Sequence, residues 1–176
     1  GQQESGAIGI ASRSNGGQIS FREFMGVGVD EYAYIAADPK DANIIYGGRV
    51  IRFNKKTGQS QFVGPEVLRS GKVRYLRTMP LLFHPMDDNM LLFGTNVVWK
   101  TLDGGQNWQQ ISPDLTKKKP EVPKSVGNYT TDAHKNMPQR AIVYALAPSS
   151  IDKNIIWAGT DAVSYTHLTL PTTPYV

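Results

Sequence analysis

The feature that most constrains this chain is a phrase it repeats three times: a proline, a short polar spacer, an asparagine, a run of mostly apolar residues and a glycine. It reads Pro39-Lys40-Asp41-Ala42-Asn43-Ile44-Ile45-Tyr46-Gly47-Gly48, then Pro85-Met86-Asp87-Asp88-Asn89-Met90-Leu91-Leu92-Phe93-Gly94. The third copy runs from Pro148 through Asp152-Lys153-Asn154-Ile155-Ile156-Trp157-Ala158-Gly159. Asn43 and Asn89 are separated by about 46 residues, the span of one four-stranded propeller blade and too long for a leucine-rich or tetratricopeptide unit. Consecutive apolar residues after each asparagine read as a strand covered on both faces, as it would be between neighbouring blades.

The rest of the chain falls into short strands around these anchors. Innermost strands are expected at 32–37, 79–83 and 141–147, second strands at 43–47, 89–94 and 154–159, third strands at 50–53 and 97–100, and fourth strands at 59–63 and 108–111. Segments 6–12 and 18–24 supply the last two strands of an earlier blade. The expected fold is therefore all-β, a partial β-propeller of four-stranded antiparallel blades, about three and a half of them, where a closed ring takes about four to eight. Seventeen glycines, eleven prolines and 40% hydrophobic residues suit a turn-rich chain with a sizeable core. No stretch approaches the ~18 apolar residues of a membrane helix, so no membrane span is expected. The absence of cysteine removes disulfides, thiolate nucleophiles and cysteine-based zinc sites together.

The last residues break the pattern. From Val163 the chain carries no charged side chain and no counterpart of the repeat. Back-translated, 163–172 can be written to match the transposon-end adapter of sequencing libraries. The expectation is one propeller fragment over 1–161 and a non-native, adapter-derived tail over 162–176, which removes Tyr165 and His167 from functional consideration.

The strongest local motif is Thr101-Leu102-Asp103-Gly104-Gly105-Gln106-Asn107-Trp108, which fits the S/T-x-D-x-G-x-x-W pattern of the Asp-box, or BNR repeat. Its mechanics are those of a hairpin turn. The Asp103 carboxylate can accept backbone N–H bonds across the loop, Gly105 permits positive φ, and Trp108 fills the gap between neighbouring hairpins. Weaker echoes stand at 12–19 and 54–58. Thr101, Asp103, Gly105 and Trp108 thus read as structural residues.

The combination of Gln2-Gln3-Glu4, Glu31, Asp38-Pro39 with Asn43-Ile44-Ile45-Tyr46, Arg74-Tyr75-Leu76-Arg77-Thr78-Met79-Pro80, the Asp-box followed by Ile111-Ser112-Pro113-Asp114-Leu115-Thr116, and Trp157-Ala158-Gly159-Thr160-Asp161 resembles the large bacterial propellers related to the sortilin/Vps10 fold. These are often labelled glycosyl hydrolases with BNR repeats. The resemblance implies an exported protein, periplasmic, cell-surface or secreted, in which the Asp-box turn lies on the outer edge of a blade. The tight Gly47-Gly48-Arg49 hairpin departs from it, since relatives tend to have a longer glycine-rich connection there.

Candidate chemistry is sparse. A glycosidase needs two carboxylates facing one another across a sugar, about 5 to 9.5 Å apart. Asp41, Asp87, Asp88 and Asp152 all lie in the loop between first and second strands, and recurrence at a turn position points to backbone hydrogen bonding. Asp30, Glu31 and Asp132 instead precede or begin innermost strands, as do Arg74 and Arg77. Glu31, Arg74 and Arg77 are the candidate ligand-binding residues, the arginines serving as forks for carboxylate or phosphate; a structural ion pair between blades is the alternative use. His84 stands at the turn position that Asp38 occupies in the first repeat, and His134 has no metal-ligand spacing around it, so no metal is expected. No phosphate loop, nucleophile elbow or calcium loop is present, no cofactor is expected, and no catalytic residue can be assigned. The net charge of +4 owes much to Lys117-Lys118-Lys119, Lys124 and Lys135 in one proline-containing insertion, a solvated loop rather than a nucleic-acid surface. Three functions fit: an exported non-catalytic propeller binding peptide, protein or glycan through its channel face and loops, a glycoside hydrolase with its acids mainly in other blades, or an assembly scaffold. The first is the reading taken forward.

Overall fold

The computed structural model describes residues 1–2, 4–31, 34–116 and 141–161, together with the backbone of a strand at 165–169. Four antiparallel sheets follow one another along the chain. Blade I pairs β1 (Ala7–Ile10) with β2 (Phe24–Val27). Blade II contains β3 (Ile35–Ala37), β4 (Ile44–Gly47), β5 (Ile51–Asn54) and β6 (Gln59–Phe62). Blade III contains β7 (Leu81–His84), β8 (Asp87–Gly94), β9 (Val98–Thr101) and β10 (Gln109–Gln110). Blade IV contains β11 (Val143–Pro148), β12 (Ile155–Thr160) and β13 (Tyr165–Thr169). Every strand pairs only with its sequence neighbours, which is the up-and-down order of propeller blades. The chain is a partial β-propeller; Asn43 and Asn154 stand just before their second strands, and Asn89 is the third residue of β8.

The period of two along the inner strands explains why the blades stack. In β8, Leu91 and Phe93 point to blade II and join Ile44, Tyr46, Leu81 and Trp99 in one core cluster. Their neighbours Met90 and Leu92 point the other way and pack with Val143, Ile156 and Ala158 of blade IV. β4 divides in the same manner, Ile44 and Tyr46 towards blade III and Ile45 towards Ala7 and Val27 of blade I. A strand that is apolar at every position therefore serves two interfaces at once, one with each set of alternate side chains. Burying each large side chain contributes about 1.5–3 kcal/mol, so these interfaces are what hold consecutive blades together.

The repeated turns carry their own hydrogen bonds. Asp41 accepts the Asn43 N–H at 2.9 Å, Asp87 the Asn89 N–H at 3.0 Å and Asp152 the Asn154 N–H at 2.9 Å. One position class thus closes the same Asx turn in three blades. The turns are also joined across blades: Lys153 Nζ reaches Asp87 at 2.6 Å, and Lys40 donates to Asn89.

Two local elements differ from the sequence expectation. The segment expected as a strand at 18–24 instead forms a 3-10 turn at Phe21–Glu23, and the strand begins only at Phe24. The cause is a capping box: Glu23 accepts from the Ser20 N–H at 2.6 Å and from its hydroxyl at 2.7 Å, while Ser20 Oγ accepts from the Arg22 N–H. A short helix, α1 (Val67–Ser70), follows β6 and stops at Gly71, whose φ of 68° ends it in the left-handed region.

Candidate functional site

The loops that lead into the innermost strands lie on the same side of the blades as the β4–β5 hairpin, and together they frame a cleft of about 540 Å³ between blades II and III. Asp30 and Glu31 come from the loop before β3, Gly48 and Arg49 from the hairpin, and Tyr75, Leu76 and Arg77 from the loop before β7. The hairpin is held tightly against the first of these loops. Gly48 has φ of +60°, and a side chain there would place its Cβ 2.3 Å from Asp30 Cβ, so backbone and acidic loop touch only because the residue is glycine. Val50, two residues on, is fully buried and also has positive φ, 65°, an arrangement that a β-branched residue adopts only when surrounding packing imposes it.

The charges of the cleft are matched in pairs. Arg49 Nε lies 3.6 Å from Asp30 Oδ2, and Arg77 Nη1 lies 3.8 Å from Glu31 Oε1. Both separations exceed hydrogen-bonding distance, and the Arg77 side chain is 72% exposed. Exposed pairs of this kind contribute little to stability. Tyr75 adds a half-exposed ring at the cleft wall.

Of the three candidate binding residues, the structure brings Glu31 and Arg77 together and sets Arg74 apart. Arg74 does not line the cleft. Its Nη2 binds Asp114 at 2.7 and 3.0 Å and also Thr116, and its Nε donates to the Ala141 carbonyl at 3.2 Å. Burial works against the charge of Asp114, but bonds from Thr116 and Arg74 outweigh it and hold its pKa below the ordinary carboxylate range. Arg74 is a clamp between the entrance of blade III and the loop after it. Sequence reasoning had no signal that Asp114, forty positions away, would claim this guanidinium. It also did not mark Arg49 and Tyr75 as site residues, because neither stands out by spacing or composition; only the fold carries them to the cleft.

The Thr101–Trp108 turn sits apart from the cleft. Thr101 donates to Asp103 Oδ1 at 2.8 Å and accepts the Gly105 N–H at 3.0 Å. Asp103 in turn accepts the Asn107 N–H at 2.9 Å and its side-chain amide at 2.7 Å. Burial raises the cost of the Asp103 charge, yet the Asn107 and Thr101 bonds prevail and lower its pKa, so the carboxylate is ionised and engaged within its own turn. Gly105 has φ of +94°. Trp108 is half-buried rather than enclosed; its Nε1 donates to the Val63 carbonyl at 2.6 Å, and its ring meets Phe93 edge-on at 6.1 Å.

His84 is fully buried, and its Nδ1 accepts the Met86 N–H at 3.1 Å, the bond that Asp38 makes with the Lys40 N–H at 2.9 Å in the blade before. Among the described residues, no group of three histidine, cysteine, aspartate or glutamate side chains could hold a metal ion. No helix among them is long and apolar enough to cross a membrane. Asp132, His134 and the lysines of the basic insertion lie outside the described residues.

No protein-family profile and no curated protein sequence matches the chain. Among solved structures, it is similar to the GH74 xyloglucanase from Xanthomonas campestris, at 13% identity and a TM-score of 0.49, over 85% of this chain and 22% of that one. It is also similar to the GH74 enzyme from Niastella koreensis, at 17% identity and a TM-score of 0.40, over 77% of this chain and 21% of that one. The chain thus spans less than a quarter of either enzyme.

Proposed function

We propose that this chain is part of an exported, non-catalytic propeller of the sortilin/Vps10-like kind, and that it binds a peptide or protein segment through the cleft between blades II and III. The observation that carries this reading is the juxtaposition of two solvent-accessible acid–arginine pairs beside one tyrosine, drawn from three separate loops. An extended segment bearing both an acidic and a basic side chain can exchange these pairs for its own, with the tyrosine ring beside it and the neighbouring backbone within reach. The resemblance stated above supports a periplasmic, cell-surface or secreted location. A neutral glycan would draw on the same planar polar groups but would bring no charge to exchange for either pair.

The glycoside hydrolase reading asks for two carboxylates across a scissile bond. Asp30 and Glu31 are adjacent in sequence, and each faces a guanidinium rather than the other carboxylate. The test is an array of extended peptides with mixed charge, probed alongside neutral oligosaccharides with the whole chain. Arg77→Ala and Glu31→Gln are expected to weaken peptide capture at least tenfold with an unchanged melting temperature. Raised salt is expected to weaken it as well, because the groups are exposed. Release of reducing sugar from an oligosaccharide, or capture that is indifferent to both substitutions, would overturn the reading.

A further inference from the structure

A second recess of about 330 Å³ lies where the end of blade II meets the Thr101–Trp108 turn of blade III, and no residue of the cleft contributes to it. Its floor is aromatic. Trp99 is buried beneath it, and Trp108, half-buried, offers the accessible ring. Both indole N–H groups are already used within the protein, Trp99 donating to Thr95 Oγ1 at 3.1 Å and Trp108 to the Val63 carbonyl at 2.6 Å. What the floor presents is therefore apolar ring surface, fixed in orientation by those bonds and by the edge contact of Trp108 with Phe93.

The rim is polar and planar. Glu66, Gln106 and Asn107 are exposed around the ring, and among the described residues Glu66 is the only charged side chain lining the recess. The Asn107 amide nitrogen is held by Asp103, which fixes the amide plane. A carboxylate and two carboxamides can each engage a pair of neighbouring hydroxyls, and the carboxamides supply both donors and acceptors. We infer that this recess at the junction of blades II and III is a saccharide-binding site in which a pyranose ring stacks on Trp108 and its hydroxyls are read by Glu66, Gln106 and Asn107. An organic cation is the competing occupant of an aromatic recess with one carboxylate. It prefers to be enclosed by several exposed ring faces, whereas Trp99 is only 6% exposed and one indole remains. The volume lies at the lower end of small-molecule sites, which fits a single ring or two.

The inference does not depend on what the cleft binds. The experiment uses the whole chain and saturation-transfer NMR with methyl glycosides of glucose, galactose, mannose and N-acetylglucosamine, and with tetramethylammonium as the rival probe. At least one glycoside is expected to receive saturation mainly on one C–H face and to quench indole fluorescence. Trp108→Ala is expected to abolish both signals. Because that change also removes packing, Glu66→Gln combined with Gln106→Ala, both exposed, serves as the second variant and is expected to weaken binding at least fivefold without changing the melting temperature. Transfer to tetramethylammonium in place of every glycoside, an absence of transfer to any glycoside, or glycoside binding untouched by the double substitution would each overturn the inference.

Discussion

At the scale of single residues, the recurrent polar positions of this chain are turn formers whose chemistry is spent on the backbone. His84 shows the most consequential variation, because it replaces a carboxylate at the start of a turn with a titratable base. Its Nδ1 is the acceptor of the turn bond, so the proton of the neutral ring sits on Nε2, which is buried and has no hydrogen-bond partner among the described residues. Burial pulls the His84 pKa below its ordinary value; Asp87 opposes this and the Lys153 ammonium adds to it. The folded state therefore prefers the neutral ring, while the unfolded chain takes up a proton near pH 6.5. Stability from this group is complete above about pH 6.5 and declines as the pH falls below it. Asp87, held below the usual carboxylate range by Lys153 and the Asn89 N–H despite its burial, stays charged throughout that window. Urea unfolding at about pH 7.5 and about pH 5 is expected to show a loss for the natural chain and none for His84→Asn, which keeps the turn acceptor and removes the titration. Parallel losses in both proteins would assign the effect to other groups.

Among elements, the β4–β5 hairpin does the most to shape the cleft. Its tight connection brings Arg49 to Asp30 and forces Gly48 and Val50 into positive φ. The close approach of Gly48 to Asp30 leaves no room for even a methyl group, because the atoms in the way are backbone and Cβ rather than the free end of a side chain. Gly48→Ala is expected to lower stability by about 2 kcal/mol or more, combining left-handed strain with displacement of the acidic loop. It should also weaken any ligand of the cleft. A change below about 0.5 kcal/mol in denaturant unfolding, the range of an ordinary surface substitution, would show that the two loops are not so constrained.

For the whole molecule, stacking of blades leaves faces that the described residues do not cover. Ile8, Ile10 and Phe24 are exposed on the side of blade I away from blade II, and Trp157 is 54% exposed on the side of blade IV away from blade III. Such faces are what adjoining blades cover in a ring. The strand β13 lies third in blade IV, its backbone paired with β12 from Ile155↔Thr169 to Gly159↔Tyr165. We infer that the evolved part of this blade extends to Asp161 and that residues 165–169 fill the third position through backbone pairing, which any extended segment can provide. Permuting the order of residues 165–169 at constant composition is then expected to alter stability by less than about 1 kcal/mol. A larger loss would place this strand in the evolved fold.

How much of this was legible beforehand follows from the range of the forces involved. The spacing of Pro, Asn and Gly, the apolar runs after Asn43, Asn89 and Asn154, and the Thr101–Trp108 turn are short-range signals, written within a dozen residues, and they determined blades, strand order and turn chemistry. The 3-10 turn at Phe21–Glu23 was equally local in origin, but a serine and a glutamate three residues apart are common enough to be passed over. Tertiary structure alone decided the partners of the charges. Arg74 and Arg77 enter blade III with only Tyr75 and Leu76 between them, yet one is clamped by Asp114 and the other meets Glu31 across the cleft. It likewise decided that Arg49 joins the cleft and that Glu66 borders the ring of Trp108. Strand periodicity is a property of the backbone and repeats wherever the sequence repeats. The pairing of a charge depends on which loops the stacked blades bring within a few ångströms, and that distance is set only when the cores between them close.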